Sequence, residues 1–124
     1  MPVHAAMTRI GDYLFIKSSG DITTIEDGVE YVQAQVAWAR EEGVRKLLTD
    51  DRDMTISLDY ADILALAQYW EQNELATLGL RVAALPPPSS PQGQQAYETA
   101  AANRSIVFKV FFDRRQAEDW LRKP

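Results

Sequence analysis

The acidic segment that follows an apolar run, KLLTDDRDMT at positions 46–55, is where the sequence comes nearest to catalytic chemistry. Asp51 and Asp53 stand two residues apart, and Thr55 follows at the same spacing. Two carboxylates at this spacing could bind Mg²⁺, which prefers oxygen ligands. One of them could also attack a phosphate ester as a nucleophile. The pattern therefore raises phosphoryl transfer as a hypothesis.

The same spacing resembles the opening motif of the haloacid dehalogenase-like phosphatases, which implies Asp51 as nucleophile and Asp53 as general acid. Three features argue against that function. The candidates for the further lysine and acidic pair, Lys109 and Glu118–Asp119, belong to the last predicted strand and helix. That motif is expected on the first strand of the domain, and a chain of 124 residues is short for that fold. A Mg²⁺-dependent phosphatase is therefore the weaker alternative, and we expect no catalytic residue, metal or cofactor.

Other chemistries are restricted by composition. The chain has no cysteine, which excludes disulfides and thiolate sites, and His4 is its one histidine. The net charge of −5 disfavours a nucleic-acid partner, because phosphate binding requires a clustered cationic surface. No apolar run approaches the roughly 20 residues of a membrane span, and no signal peptide is evident. These facts favour a cytoplasmic protein that forms one domain over residues 1–124.

Alternating patterns predict an α/β fold of element order β-β-α-β-α-β-α-β-α. A Gly11–Asp12 turn joins two short strands into a hairpin. Ile25, Val29 and Val32 begin the apolar stripe of a first helix, which Thr23 or Thr24 can cap. Strands that alternate with helices imply parallel pairing with right-handed crossovers. The prediction is a mostly parallel five-stranded sheet with one antiparallel edge strand.

The next strand is expected at Val44–Thr49, where the aspartates would begin a loop near a helix N-terminus, a place that favours negative charge. Ligands of parallel sheets tend to bind outside the carboxyl ends of the strands. The proline-rich segment PPPSSPQG at 86–93 would share that edge. The candidate interaction or ligand edge comprises Asp50, Asp51, Asp53, Thr55, Ser57, Pro86, Pro87 and Pro88.

Tyr31 and Trp38 lie off the valine stripe of the first helix, and Tyr69 lies beside Trp70, which belongs to the stripe of the second helix. This second apolar face favours either ordinary coverage of the helix edges or a surface for a homodimer or an apolar ligand. The candidate apolar surface comprises Tyr31, Trp38, Tyr69 and Trp70.

Four segments in this order resemble the SpoIIAA-like proteins, relatives of the STAS domains of anti-anti-sigma factors and sulfate transporters. They are SGDIT at 19–23, KLLTDDRD at 46–53, RVAAL at 81–85 and FKVFFDRRQAEDWL at 108–121. The resemblance implies a (βα)n superhelix without enzymatic activity that acts as a regulatory or protein-interaction domain.

In STAS anti-anti-sigma factors a serine at the start of the helix after the acidic strand is phosphorylated by a partner kinase. Ser57 is the nearest hydroxyl in this chain and Thr55 the second candidate, although DMTISLDY at 53–60 lacks the Ser-Ser-Gly-Leu run of that site. A fold-level link of SpoIIAA-like proteins to lipid-transfer domains implies the alternative function, a carrier of an apolar small molecule or lipid. An unknown protein partner or a small apolar ligand is thus expected.

Overall fold

The computed structural model describes residues 3–72, 79–88, 92–102 and 107–123. Within these ranges the predicted element order is confirmed. The strands are β1 (His4–Ile10), β2 (Tyr13–Ile22), β3 (Lys46–Ile56), β4 (Arg81–Leu85) and β5 (Val107–Val110). The helices are α1 (Ile25–Glu42), α2 (Tyr60–Gln72), α3 (Gln92–Ala102) and α4 (Arg114–Arg122).

Among the described residues the sheet has five strands in the order β1-β2-β3-β4-β5. β1 pairs antiparallel with β2 through the predicted hairpin, where Gly11 adopts a φ of 61°. The other three pairings are parallel, so the mixed sheet with one antiparallel edge strand is confirmed.

Helices cover both faces of this sheet. Alternate residues of β2 and β3, including Leu14 and Leu47, face α1. α1, α2 and α3 also share a core cluster on that side, which contains Val36, Leu66 and Ala101. The residues between them, such as Leu48, face α4 on the opposite side. No described helix is both long and apolar enough to cross a lipid bilayer.

Local signals fix the ends of α1. Thr24 adopts an extended conformation and its side chain accepts a hydrogen bond from the Asp27 amide at 3.2 Å. The Asp27 carboxylate accepts one in return from the Thr24 amide, which completes a capping box. Gly43 ends the helix with a φ of 67°, in the left-handed region that favours glycine.

The predicted end of the third strand was wrong. β3 continues from Lys46 to Ile56, so Asp50, Asp51 and Asp53 lie within a strand and not in a loop. β2 extends beside it to Ile22, and this parallel pairing supplies the backbone hydrogen bonds that hold the acidic residues extended. Such pairing overrides the low strand propensity of aspartate.

Candidate functional site

A bulge in β3 places Asp51 and Asp53, two residues apart, on opposite faces of the sheet. Lys17 of β2 pairs with Asp50, but Ser19 pairs with Asp53, so two residues of β3 stand opposite Ser18 alone. The extra residue breaks the alternation of the strand. Asp50 and Asp53 therefore both reach Lys17, whereas Asp51 points to the side covered by α1 and α3.

On the first of these faces Asp50 is held by two cations. The Lys17 Nζ lies 3.1 Å from its carboxylate, and Arg52 donates from Nε and from a terminal nitrogen, each at 2.8 Å. Burial favours the neutral form of Asp50, but the hydrogen bonds from Arg52 and Lys17 outweigh it and lower the pKa to about 2. Asp50 therefore stays ionised, in a paired cluster.

On the other face Asp51 is surrounded by neutral donors. Tyr31 of α1 donates its hydroxyl proton to Asp51 Oδ1. Gln94 of α3 donates to Oδ2 at 2.7 Å, and the Thr49 hydroxyl lies 3.5 Å from the same oxygen. Because Tyr31 uses its only hydroxyl hydrogen in the bond to Asp51, Ser18 acts as the donor in its 2.6 Å hydrogen bond to the Tyr31 oxygen.

These surroundings change the titration of Asp51. Its exposed fraction is 2%, and this burial raises its pKa to about 6, although hydrogen bonds from Tyr31 and Gln94 oppose the shift. The nearby Asp50 charge acts in the same direction as burial. Burial and the Asp51 charge likewise raise the pKa of Tyr31 well above its usual value. Asp51 is thus a carboxyl group that changes its charge close to neutral pH.

This arrangement does not fit the phosphatase alternative. That reaction requires Asp51 and Asp53 to act on one substrate, but they lie on opposite faces, and Asp53 pairs with Lys17 at 2.9 Å. Glu118 accepts a hydrogen bond from Tyr13 at 2.5 Å, on the α4 face of the sheet. Among the described residues no group of three acidic or histidine side chains is arranged to hold a metal ion.

A cavity of about 100 Å³ lies beside Asp51, between the sheet and the three helices of that face. Its polar lining comes from Tyr31, Gln35, Thr49, Asp51 and Gln94, and most of the remaining wall is apolar. The apolar lining includes Val32, Ile63, Leu66, Val82, Tyr97 and Phe108. An engineered apolar cavity of about 150 Å³ accommodates benzene, so this volume is small for a lipid chain.

Two buried polar atoms of residues that line the cavity have unused hydrogen-bonding capacity. Gln94 Oε1 and Trp70 Nε1 are buried and have no partner among the described residues. The exposed fractions of Gln94 and Trp70 are 9% and 7%. Buried polar atoms are usually satisfied, so each of these two atoms requires an explanation.

The predicted interaction edge is divided by the structure. Asp50, Asp51, Pro86 and Pro87 are buried. The exposed members are Asp53, Thr55, Ser57 and Pro88. Positions 89–91 of the proline-rich segment lie outside the described residues.

The structure divides the candidate apolar surface, and two of its four residues, Tyr31 and Trp70, line the cavity. Tyr31 and Trp70 are buried, the former against Asp51 and the latter in the shared core of the helices. Trp38 is partly buried against the core of β2 and β3, and Tyr69 accepts a hydrogen bond from Gln33 at 2.7 Å. These residues do not form one apolar face for a homodimer.

Gln94 is the site residue that sequence reasoning missed. It stands 43 positions after Asp51, and a glutamine near the start of a predicted helix carries no local signal of burial. Tyr31 was noticed only as an aromatic residue, because its partner Asp51 lies 20 positions away on a strand whose register was not predicted.

Comparisons with known proteins identify the fold. No protein-family model matches the chain, and a search of curated proteins finds no match. Among solved structures, the chain is similar to an uncharacterised protein of the DUF3478 family with a SpoIIAA-like fold from Shewanella loihica. The identity is 25% and the TM-score 0.53, over 97% of this chain and 94% of that one.

It is also similar to the anti-sigma factor antagonist SpoIIAA in its unphosphorylated form. Here the identity is 16% and the TM-score 0.58, over 98% of this chain and 100% of the other. The resemblance drawn from the four sequence segments is confirmed.

Proposed function

Since the chain has the SpoIIAA-like fold along nearly its whole length, we propose that it is a non-catalytic regulatory domain that binds a partner protein. The junction surface, which we propose as the contact, consists of Asp53, Thr55, Ser57 and Tyr60, where β3 leads into α2. A neighbour of the same fold is an anti-sigma factor antagonist, a protein that works on a protein target.

The backbone beneath the junction surface is well anchored. The Ser57 amide donates to the Ile22 carbonyl at 2.8 Å, just beyond the end of β3. Asp59 then accepts a hydrogen bond from the Asp62 amide at 2.8 Å, which caps the first turn of α2. A surface held in this way loses little conformational entropy when a partner binds.

The observation that carries the proposal is the exposure of Tyr60. Its side chain is 65% exposed at the first position of α2, close in sequence to the exposed residues Thr55 and Ser57. Tyrosine is enriched among the residues that contribute most to protein–protein binding, because it offers a large apolar ring and a hydroxyl. An aromatic ring of this exposure, flanked by small polar groups, suits the centre of a contact.

Ser57 also supports regulation at this surface. A phosphate on its exposed hydroxyl would lie near the positive N-terminal end of α2, which favours the added charge. The same phosphate would repel the carboxylates of Asp53 and Asp59, and would change the charge that a partner meets. Phosphorylation of Ser57, with Thr55 as the second candidate, stays a prediction.

Site-specific photo-crosslinking in cells tests this proposal. A photoreactive phenylalanine analogue placed at Tyr60 should yield a discrete crosslinked protein, identified by mass spectrometry. Phe112 is the matched control, since it is an aromatic residue of nearly equal exposure, 66%, that follows β5 at the far edge of the sheet. The Ser57→Asp substitution should weaken the Tyr60 crosslink.

Identical crosslinks from both positions, or none from Tyr60, would overturn the proposed contact. A crosslink to a second copy of this chain would instead indicate a homodimer, which stays a prediction, as does the cytoplasmic location.

A further inference from the structure

The two edge strands of the sheet, β1 and β5, differ in how their free sides are protected. A free strand edge presents backbone N–H and C=O groups that can pair with another chain, and proteins usually block it. We propose that the free side of β1 pairs antiparallel with β1 of a second copy, so that one sheet continues through both molecules. This contact is separate from the junction surface, which lies where β3 leads into α2, and the inference does not depend on it.

The free side of β5 is short and partly occupied. The Phe111 amide donates to the Ala84 carbonyl of β4 at 2.9 Å. Because backbone groups alternate in direction along a strand, the Val110 amide points away from β4, where it donates to the Glu98 carboxylate at 3.1 Å. β5 has four residues. A short strand and a side chain bound across its edge both hinder further pairing.

β1 lacks these protections. Its seven residues pair with β2 without a bulge and include no proline, lysine or acidic residue. Its arginine, Arg9, is turned toward its own chain, where it donates to the carbonyls of Gly11 at 3.2 Å and Glu42 at 3.1 Å. Among the described residues, no backbone group of another element bonds to the free side of β1. This strand is therefore the open edge of the described sheet.

The hairpin determines which groups of β1 face the free side. In a two-residue hairpin the pair that closes the turn, here Ile10 and Tyr13, is hydrogen-bonded, and such pairs alternate with pairs that are not. The amides and carbonyls of Ala5, Met7 and Arg9 therefore point away from β2. Symmetric pairing places Met7 opposite Met7, and Ala5 opposite Arg9, of the second copy, with roughly six backbone hydrogen bonds between the strands.

The side chains of β1 suit a second copy as the partner. Ala5 and Met7 are half-buried against the core cluster of β2 and β3 on the α1 face. Symmetric pairing brings the two Met7 side chains together, which covers apolar surface, and the small Ala5 leaves room for the opposite Arg9. Each chain carries a net charge of −5, but no acidic residue lies on the paired strands. Like charges therefore do not face each other across the contact.

Hydrogen exchange followed by nuclear magnetic resonance tests the pairing in the wild-type protein. In one copy β2 protects the amides of Ala6 and Thr8, whereas those of Ala5, Met7 and Arg9 are protected only by a second copy. Dilution from millimolar to tens of micromolar should accelerate exchange of the latter three several-fold and leave the former two unchanged. Because the contact is small, sedimentation over the same range should show the mass fall from two copies to one.

Two variants test the assignment, with circular dichroism to confirm that each is folded. Ala5→Pro removes one outward amide per copy and keeps the bonds of β1 to β2. It should weaken the dimer about thirtyfold, the effect of about two lost hydrogen bonds, whereas Ala5→Ser should not. Met7→Glu places two carboxylates opposite each other and should also weaken the dimer at least about tenfold. Val107→Glu, at an exposed position of β5, should leave it unchanged.

Three results would overturn the proposal. The first is a protein that remains monomeric at millimolar concentration. The second is a dimer in which Ala5 and Met7 exchange at the same rate at every concentration, which would place the contact elsewhere. The third is a dimer that neither Ala5→Pro nor Met7→Glu weakens. A missing crosslink at Tyr60 would refute the junction contact and leave all three outcomes unaffected.

Discussion

The Asp51→Asn substitution removes the buried carboxylate but keeps the size and shape of the side chain. The new amide oxygen can still accept the hydrogen bond from Tyr31. Gln94 can turn its own amide, so that its oxygen, which lacks a partner among the described residues, accepts from the new amide nitrogen. The fold should therefore survive the change, and its pH dependence can be measured.

The free energy of unfolding should respond to pH differently in this variant. At low pH Asp51 is protonated in the folded and unfolded chains alike, so no charge is buried. As the pH rises, the unfolded chain releases the proton first, and the folded chain becomes less stable until the pH passes its own, higher pKa. The pKa of Asp51 is 3.8 in the unfolded chain and about 6 in the folded chain. Each pKa unit of difference corresponds to about 1.36 kcal/mol. Wild type should thus lose about 2–3 kcal/mol relative to Asp51→Asn between pH 4 and pH 7.5.

Urea unfolding followed by tryptophan fluorescence at several pH values measures this difference, in which the contributions of groups that do not interact with Asp51 cancel. Asp12→Asn is the control. The hydrogen bond from Lys46 lowers the pKa of Asp12 below 3.8, so its stabilising contribution is lost only as the pH falls below that value. The Asp12→Asn difference should therefore stay nearly constant from pH 4 to pH 7.5. If the Asp51→Asn difference is also constant, or changes in the opposite direction, the buried charge does not control stability.

Three substitutions test the fold by the same urea assay. Thr24→Ala should lower the free energy of unfolding by about 1 kcal/mol, because it removes the capping-box oxygen of α1; Thr24→Ser should retain it, and equal loss in both would contradict this reason. Gly43→Ala should lower the free energy of unfolding by about 1–2 kcal/mol, because the φ of 67° at this position is unfavourable for alanine. An unchanged midpoint of urea unfolding would contradict this backbone strain. Leu48→Ala should lower the free energy of unfolding by about 2–5 kcal/mol, because the side chain is 0% exposed between the sheet and α4; a loss no larger than that of half-buried Leu64→Ala would argue against the packing.

The fold was predictable because its signals are local. Thr24 and Gly43 mark the ends of α1 by the chemistry of a cap and a left-handed residue, and the Gly11–Asp12 turn marks the hairpin. Alternation of strands and helices then restricts the topology to parallel crossovers. The length of β3 was not predictable, since aspartates disfavour strands in isolation and only the neighbouring β2 holds them extended.

The site was predictable only as a set of residues near one edge. Asp51 was recognised as a candidate, but its separation from Asp53 depends on a bulge of one residue that no spacing in the sequence reveals. Its partners Tyr31 and Gln94 come from two different helices. Contacts of this kind arise from packing across the fold, and the pattern of a single segment does not contain them.

The bulge in β3 also affects how this segment can be aligned with distant relatives. A strand without the extra residue at positions 51–52 would need a gap there. An ungapped alignment would shift every later position of the strand by one and match buried residues such as Met54 to outward-facing ones. At identities of 25% and below, homology of the acidic residues is therefore better judged by superposed backbones than by matching letters.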